Sequence, residues 1–376
     1  MRSMLPPPSP EALAHSARLE RVIAQAIEEA GGFLAFERYM ELALYAPGLG
    51  YYAAGTRKFG ADGDFVTAPE ISPLFAQAIA VQVAEVFQHT QPQIVEFGAG
   101  SGALARDLLA ALAARGVAVA RYAIVEVSPD LRARQQQALA GLPVQWLDTP
   151  PSAFDGVMIA NEVLDVMPVR LFVKRDGRVA ERGVTRAGGA LAFVERAADD
   201  VLRQAVDAIE TTVGALPDGY GSEIGFVAQA WLRSAAEWLR HGLLLVIDYG
   251  FPRREYYHPQ RLMGTIMCHY RHHAHADPLW LPGLNDITAH VDFSAAADAA
   301  QEAGLTLLGY TSQAHFLINC GVLQMLAAQR TPAHVAQAQR LLLEAEMGEL
   351  FKVLAVGRGL PEPLIGFVRG DRRHTL

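Results

Sequence analysis

Ile94-Val95-Glu96-Phe97-Gly98-Ala99-Gly100-Ser101-Gly102 is the stretch whose reading decides the fold. A short apolar run ends in Gly-x-Gly-x-Gly, and residues 102–115 then place apolar side chains at helical spacing. Glycine suits a sharp turn from strand into helix, because a Cβ there would hold a ligand away from the backbone. A bare glycine triplet carries little information; a strand before it and a helix after it make the open strand end a nucleoside-cofactor site.

The same texture continues outward. Short apolar runs at 93–97, 122–127, 144–147, 156–160 and 243–248 alternate with helical patterns at 102–115, 130–140 and 221–240. Such alternation predicts a mostly parallel sheet with helices on both faces, a doubly wound Rossmann-like α/β fold. Residues 93–250 and 293–376 are the expected core, the latter supplying a helix at 293–303, a strand at 305–310, a helix at 333–346 and a last strand at 351–356. Residues 1–92 are an N-terminal helical region, with helices predicted at 9–30, 33–45 and 71–90 and a loop over 51–69. Two insertions interrupt the core. Residues 168–197 read as an antiparallel excursion turning at Asp176-Gly177 and Gly188-Gly189, and residues 251–292 are rich in proline and histidine without a clear period.

The formal net charge of −8 argues against a nucleic-acid surface. Gly, Pro or a charged residue interrupts every apolar stretch, so no membrane span is expected. The N-terminus lacks an apolar signal region and carries Glu11 and Glu20, which makes a cytoplasmic location the expectation. Cys268 and Cys320, the 2 cysteines, are too few for a disulfide framework or a cysteine-built metal site and are read as small buried apolar residues.

The second strand runs into Val125-Glu126-Val127-Ser128, where Glu126 can accept hydrogen bonds from both hydroxyls of a ribose. Both NAD and S-adenosylmethionine (SAM) need such an acid. Glu96 favours SAM, since a carboxylate beside the glycines suits a cationic amino group and sits badly against a pyrophosphate. The spacing Gly-x-Gly-x-Gly also departs from the dinucleotide pattern. Glu96, Gly98, Gly100, Gly102, Glu126 and Ser128 are therefore candidate cofactor residues. Asp148, after the third strand, is a candidate for the adenine amino group, with a helix cap or plain surface acid as the competing reading.

The fourth strand ends in Asn161-Glu162-Val163-Leu164-Asp165. Ligands in open α/β sheets sit beyond the carboxyl ends of strands, which places Asn161 and Glu162 toward the reacting methyl group, Asn161 also touching the cofactor. An amide and a carboxylate can hold the N–H groups of a nitrogen acceptor while a lone pair faces the methyl. Arginine demands this most, since its guanidinium stays protonated in water and must be gripped by acids. Glu162 is the leading catalytic candidate, with Asp165 and Glu70 as candidates for a second carboxylate. Structural capping and ion pairing compete with these roles. In the loop 60–72, Thr67 and Glu70 have the spacing of a capping box, and Thr67 and Pro69 are further candidate cofactor contacts. Tyr45, Tyr51 and Tyr52 either close over the cofactor or anchor a loop. His269, His273 and Asp277 would share a face only on a helix, so no metal is expected.

Together these stretches resemble the MidA family of SAM-dependent methyltransferases. The matching segments are Tyr45-Ala46-Pro47-Gly48-Leu49-Gly50-Tyr51-Tyr52, Gly63-Asp64-Phe65-Val66-Thr67-Ala68-Pro69-Glu70-Ile71, residues 96–102, Asn161-Glu162-Val163-Leu164-Asp165, Asp248-Tyr249-Gly250, residues 286–293 and residues 347–354. The resemblance implies a Rossmann-like class I methyltransferase that binds SAM at the glycine turn and Glu126, with residues 1–92 and 251–292 over the active site on the substrate side. It also implies methylation of protein arginine, in the mitochondrial members on a respiratory complex I subunit. A different nitrogen acceptor, an assembly module that binds SAM without turnover, and a homodimer remain open.

Overall fold

The structure, a computed structural model, describes residues 5–54, 67–329 and 331–376. Helix α1 (Pro10–Glu29), strand β1 (Leu34–Ala35) and helix α2 (Phe36–Tyr45) open the chain, and α3 (Ala68–Ile71) and α4 (Pro73–Val86) follow. The alternation expected around the glycines is then present as β2 (Gln93–Phe97), α5 (Ala103–Ala114), β3 (Arg121–Val125), α6 (Pro129–Ala138), β4 (Val144–Leu147) and β5 (Phe154–Asn161). Strands β6 (Arg170–Arg175), β7 (Arg178–Ala187) and β8 (Ala190–Ala197) precede α7 (Asp200–Val213), β9 (Gly221–Ile224), α8 (Phe226–Trp238) and the long β10 (Leu239–Phe251). Helix α9 (Arg253–Tyr256) and strands β11 (Met267–Tyr270), β12 (His273–His275), β13 (Asp286–Thr288) and β14 (Val291–Asp292) come next. The chain closes with α10 (Phe293–Glu302), β15 (Thr306–Ser312), α11 (Gln313–Asn319), α12 (Val322–Ala328), α13 (Pro332–Leu342), α14 (Met347–Leu350) and β16 (Phe351–Arg358).

These elements form two units. One holds residues 67–164, Gln229–Phe251 and Phe293–Leu376. Its main strands lie in the order β15-β16-β10-β5-β2-β3-β4. The pairs β10–β5, β5–β2, β2–β3 and β3–β4 are parallel, and β16 runs antiparallel to both of its neighbours. This is the mostly parallel Rossmann-like sheet the alternation predicts. Ile94, Val157 and Leu245 pack with α4 and α5 in one hydrophobic cluster. Phe97, an odd number of residues from Ile94 and so on the opposite face, meets the rings of Trp231 and Trp238 of α8. From β2 the chain builds outward through β3 and β4, then returns to add β5 on the other side of β2. That reversal opens a crevice at the carboxyl ends of β2 and β5, the place where such sheets take ligands.

The other unit takes in residues 5–54, Asp165–Ala228 and Pro252–Asp292. The expected antiparallel excursion is there: β6 pairs with β7 and β7 with β8. Its turns at Asp176-Gly177 and Gly188-Gly189 all have positive φ, the conformation that two-residue hairpin turns require. Strands β1 and β9 extend this sheet to the order β1-β7-β6-β9. The helix predicted over 221–240 is thereby shortened, since Gly221–Ile224 pairs with β6 as a buried strand and the helix begins at Phe226. Residues 251–292 also gain order, with strands in the sequence β12-β11-β13. Arg271 and His272 occupy the tight β11–β12 turn with φ of 48° and 62°. His269 and His273 thus lie on a hairpin, not on one helix face, and no group of three His, Cys, Asp or Glu among the described residues can hold a metal ion.

Helix α4, grouped by sequence with the N-terminal region, packs against α5. Cys268 and Cys320 are buried, as expected. No helix among the described residues is long and apolar enough to cross a membrane.

Candidate active site

Where β2 ends, Gly98, Gly100 and Gly102 take φ of 61°, 54° and 83°. Side chains other than glycine rarely adopt that region. A Cβ on Gly98 would stand 3.2 Å from Val163 Cγ2, and one on Gly102 would stand 3.2 Å from Leu139 Cδ1. The Gly98 N–H donates to the Val125 carbonyl at 3.0 Å, which ties the turn to β3. Three positions of the bend therefore lack a Cβ, and the turn is fixed in place.

Glu126 lies just beyond β3, and both of its oxygens are held. The Ser128 N–H donates to Oε1 at 2.9 Å and Gln135 Nε2 donates to Oε2 at 2.9 Å. The same Gln135 Nε2 donates to the Gly100 carbonyl at 3.0 Å. Ser128 is a buried N-cap, its Oγ accepting from the Leu131 N–H at 3.3 Å; it shapes Glu126 through its backbone. Asp148 pairs with Arg132 of α6, and its carboxylate is 86% exposed.

The end of β5 is the most unusual backbone in the site. Glu162 has φ 53°, a conformation that costs a non-glycine residue roughly 1–2 kcal/mol. Its N–H donates to the Ile247 carbonyl at 2.9 Å. Fully buried Asp248 accepts from the Val163 and Leu164 N–H groups at 3.2 and 3.0 Å on Oδ2, and from the Tyr249 N–H on Oδ1. This carboxylate fastens the turn that leaves β5. Asn161 Nδ2 donates to Glu162 Oε1 at 3.1 Å, while Asn161 Oδ1 is buried with no hydrogen-bond partner among the described residues. A buried unsatisfied acceptor is costly unless a ligand supplies the donor.

Thr67 and Glu70 form the expected capping box around α3, with the Thr67 N–H 3.5 Å from Glu70 Oε2. Pro69 lies within that turn, and α3 packs on α4, α5 and α13. The preceding Gly63-Asp64-Phe65-Val66 lies outside the described residues. Asp165 is buried in the unit that holds β6 to β9, where its carbonyl accepts from the Ala289 N–H at 2.9 Å. The tyrosines anchor one another in that same unit. Tyr45 stacks on Tyr52 and Tyr51 meets Tyr52 edge-on; the Tyr45 hydroxyl donates to the Val166 carbonyl at 2.9 Å and the Tyr52 hydroxyl to Asp286 Oδ1 at 3.0 Å.

Glu96 is only 3% exposed, and the Tyr122 hydroxyl donates to its Oε2 at 2.6 Å. Burial pushes its pKa from 4.5 to about 7, against the pull of Tyr122 and with a smaller push from Glu126. The folded chain therefore holds a proton that the unfolded chain has lost between about pH 4.5 and 7. Stability contributed by this group falls as pH rises through that window. Glu96→Gln keeps an acceptor for Tyr122 and removes the ionisation. Its gain over the unaltered protein should grow from nothing near pH 4.5 to about 3 kcal/mol above pH 7, read by denaturant melts across pH. A constant difference would remove Glu96 as the source.

The structure thus brings Gly98, Gly100, Gly102, Glu126, Asn161 and Glu162 to the carboxyl ends of three adjacent strands. Gln135, Trp146 and Asp248 complete the setting and were not singled out by residue type. Gln135 sits in a Gln-Gln-Gln run that reads as a solvated face, yet it alone of the three is buried. Asp248 had two signals, its place at the end of an apolar strand and its segment Asp248-Tyr249-Gly250 in the family resemblance. The glycine-rich bend, the Glu126 carboxylate just beyond β3 and the unsatisfied Asn161 acceptor fit an adenosyl amino-acid cofactor.

A family model of S-adenosyl-L-methionine-dependent methyltransferases matches residues 78–311. The chain is 30% identical to the mitochondrial protein arginine methyltransferase NDUFAF7 of Mus musculus, over 86% of this chain and 81% of that one. It is 28% identical to the NDUFAF7 protein of Danio rerio, over 87% and 84%. A COG1565 superfamily member from Burkholderia thailandensis, crystallised with S-adenosyl-homocysteine, is 48% identical and superposes with a TM-score of 0.94 over 99% of this chain and 100% of that one. With the glycine turn, the acids at the strand ends and this matched span, the chain belongs to the MidA family of SAM-dependent methyltransferases.

Proposed function

We propose that this methyltransferase acts on an arginine nitrogen of a protein, with a respiratory complex I subunit or a related protein as the acceptor. The observation that carries the reading is Glu162, a carboxylate held at the end of β5 in a strained backbone beside Asn161. The names of the NDUFAF7 relatives, protein arginine methyltransferases, point the same way.

Gly98, Gly100 and Gly102 would let the cofactor approach the backbone, Glu126 would accept from its ribose hydroxyls, and Asn161 Oδ1 would accept from a cofactor or substrate N–H. Thr67, Pro69, Glu96, Ser128 and Asp148 are the further proposed cofactor contacts, Asp148 keeping its pairing with Arg132. The bound cofactor supplies an electrophilic methyl group on a sulfonium. Glu162 accepts N–H hydrogens of the guanidinium, concentrates its positive charge on the gripped side and fixes the other nitrogen for in-line attack. As the N–C bond formed, the S–CH3 bond of the sulfonium would break and release S-adenosyl-homocysteine; the methylated nitrogen would become more acidic, and the Glu162 carboxylate would stabilise its charge until the proton passed to solvent water. Glu70 and Asp165 are the candidates for a second grip.

The test is incubation of the protein with isotope-labelled SAM and extract from a strain lacking it, followed by mass spectrometry of the labelled residue. Label on arginine is the expected result. Label on another nitrogen refutes the arginine assignment, and absence of label with intact cofactor binding favours an assembly module.

A further inference from the structure

We infer that Gln135, locked by Trp146, is the positioning residue that aims Glu126 at the ribose and couples it to the glycine turn; this rests on the cofactor seat proposed above. Gln135 lies on α6 and is fully buried. A buried amide can normally be drawn either way round, its oxygen and nitrogen exchanged. Trp146 removes the ambiguity. An indole N–H only donates, so Gln135 Oε1 must face Trp146 Nε1, 3.0 Å away. The two hydrogens on Nε2 are then directed to Glu126 Oε2 at 2.9 Å and the Gly100 carbonyl at 3.0 Å. Each hydrogen has its own acceptor, one charged and one in the turn that would meet the cofactor.

Glu126 is consequently clamped from two sides, by the Ser128 N–H on Oε1 and by Gln135 on Oε2. A carboxylate clamped in this way has its plane set before a ligand arrives, so a vicinal diol is bound without first ordering the acid. Gly100 joins the same network, which makes the backbone that cradles the cofactor and the acid that reads its sugar move as one piece. Trp146 stands on β4, so residues on or just after three adjacent parallel strands, β2, β3 and β4, and on helix α6 contribute one hydrogen-bond chain.

The test compares S-adenosyl-homocysteine with its 2′-deoxyribose analogue by calorimetric titration of the full chain. The unaltered protein should prefer the ribose form by about tenfold or more. In Gln135→Met, which keeps length and apolar bulk but has no N–H, the ribose form should weaken by about tenfold while the deoxy analogue changes little, so the preference collapses toward one. Trp146→Phe leaves the amide present but unlocked; it should shrink the preference in the same direction and covers the case in which Gln135→Met fails to fold. Equal weakening of both ligands, with the preference intact, would mean that Gln135 only supports packing and would overturn the proposal. No ribose preference in the unaltered protein is a distinct result. It would remove Glu126 from the ribose, and the role of Gln135 with it.

Discussion

Glu162→Gln is expected to lower methyl transfer by about 10²–10⁴-fold, with S-adenosyl-homocysteine affinity held within about threefold. The amide matches the carboxylate in shape and still offers an oxygen to Asn161 Nδ2, the donor at 3.1 Å. The backbone holding this residue at φ 53° is fastened by the Ile247 carbonyl and by the Asp248 carboxylate under Val163 and Leu164. None of these groups is altered. The change removes one negative charge, which a guanidinium needs and a neutral cofactor sugar does not. Turnover and affinity must be read in the same preparation. Unchanged turnover would exclude Glu162 as the residue that grips the acceptor, and a parallel loss of affinity and turnover would assign it to the cofactor seat.

Gly100→Val should abolish cofactor binding, with a loss of at least about 100-fold in affinity. Two costs act together. The φ of 54° is poor for any side chain and worst for a β-branched one. The added methyl groups also fill space that a ligand lying on the backbone must enter. The readout is thermal stabilisation: ligand at about 100 times its dissociation constant adds about 2.7 kcal/mol to the stability of a protein that binds it only when folded. The unaltered chain should show that gain and the variant none, each read against its own melting temperature without ligand, which the backbone strain lowers in the variant. Normal stabilisation of the variant would mean that the cofactor does not lie on this turn.

The parallel sheet was readable because each buried strand must be a short apolar run and each covering helix must carry a 3.6-residue stripe. Runs at 93–97 and 144–147 coincide with β2 and β4. The glycines and Glu126 were readable for the same reason, since a fixed topology places strand ends together. The other unit was harder. Strand β1 pairs with β7, and β6 pairs with β9, across long stretches of chain; β1 and β9 have only 2 and 4 residues, and only the complete sheet makes Gly221–Ile224 a buried strand and not the start of a helix. Polar residues that act from inside were hidden by composition. Gln135 follows helical spacing among exposed glutamines, and only the placement of Trp146 and Gly100 around it reveals its role. The capping box of Thr67 and Glu70 was legible because its rule is local, whereas the purpose of Asp248 depends on a turn more than eighty residues earlier in the chain.

Methyl transfer at this site requires the nucleoside to lie across the bend after β2. A crystal of this protein grown with S-adenosyl-homocysteine measures that directly. Density for the amino-acid portion along Gly98–Gly102, with the ribose hydroxyls on Glu126, is the predicted result. Ligand bound elsewhere, with the bend closed by protein atoms, would contradict the account.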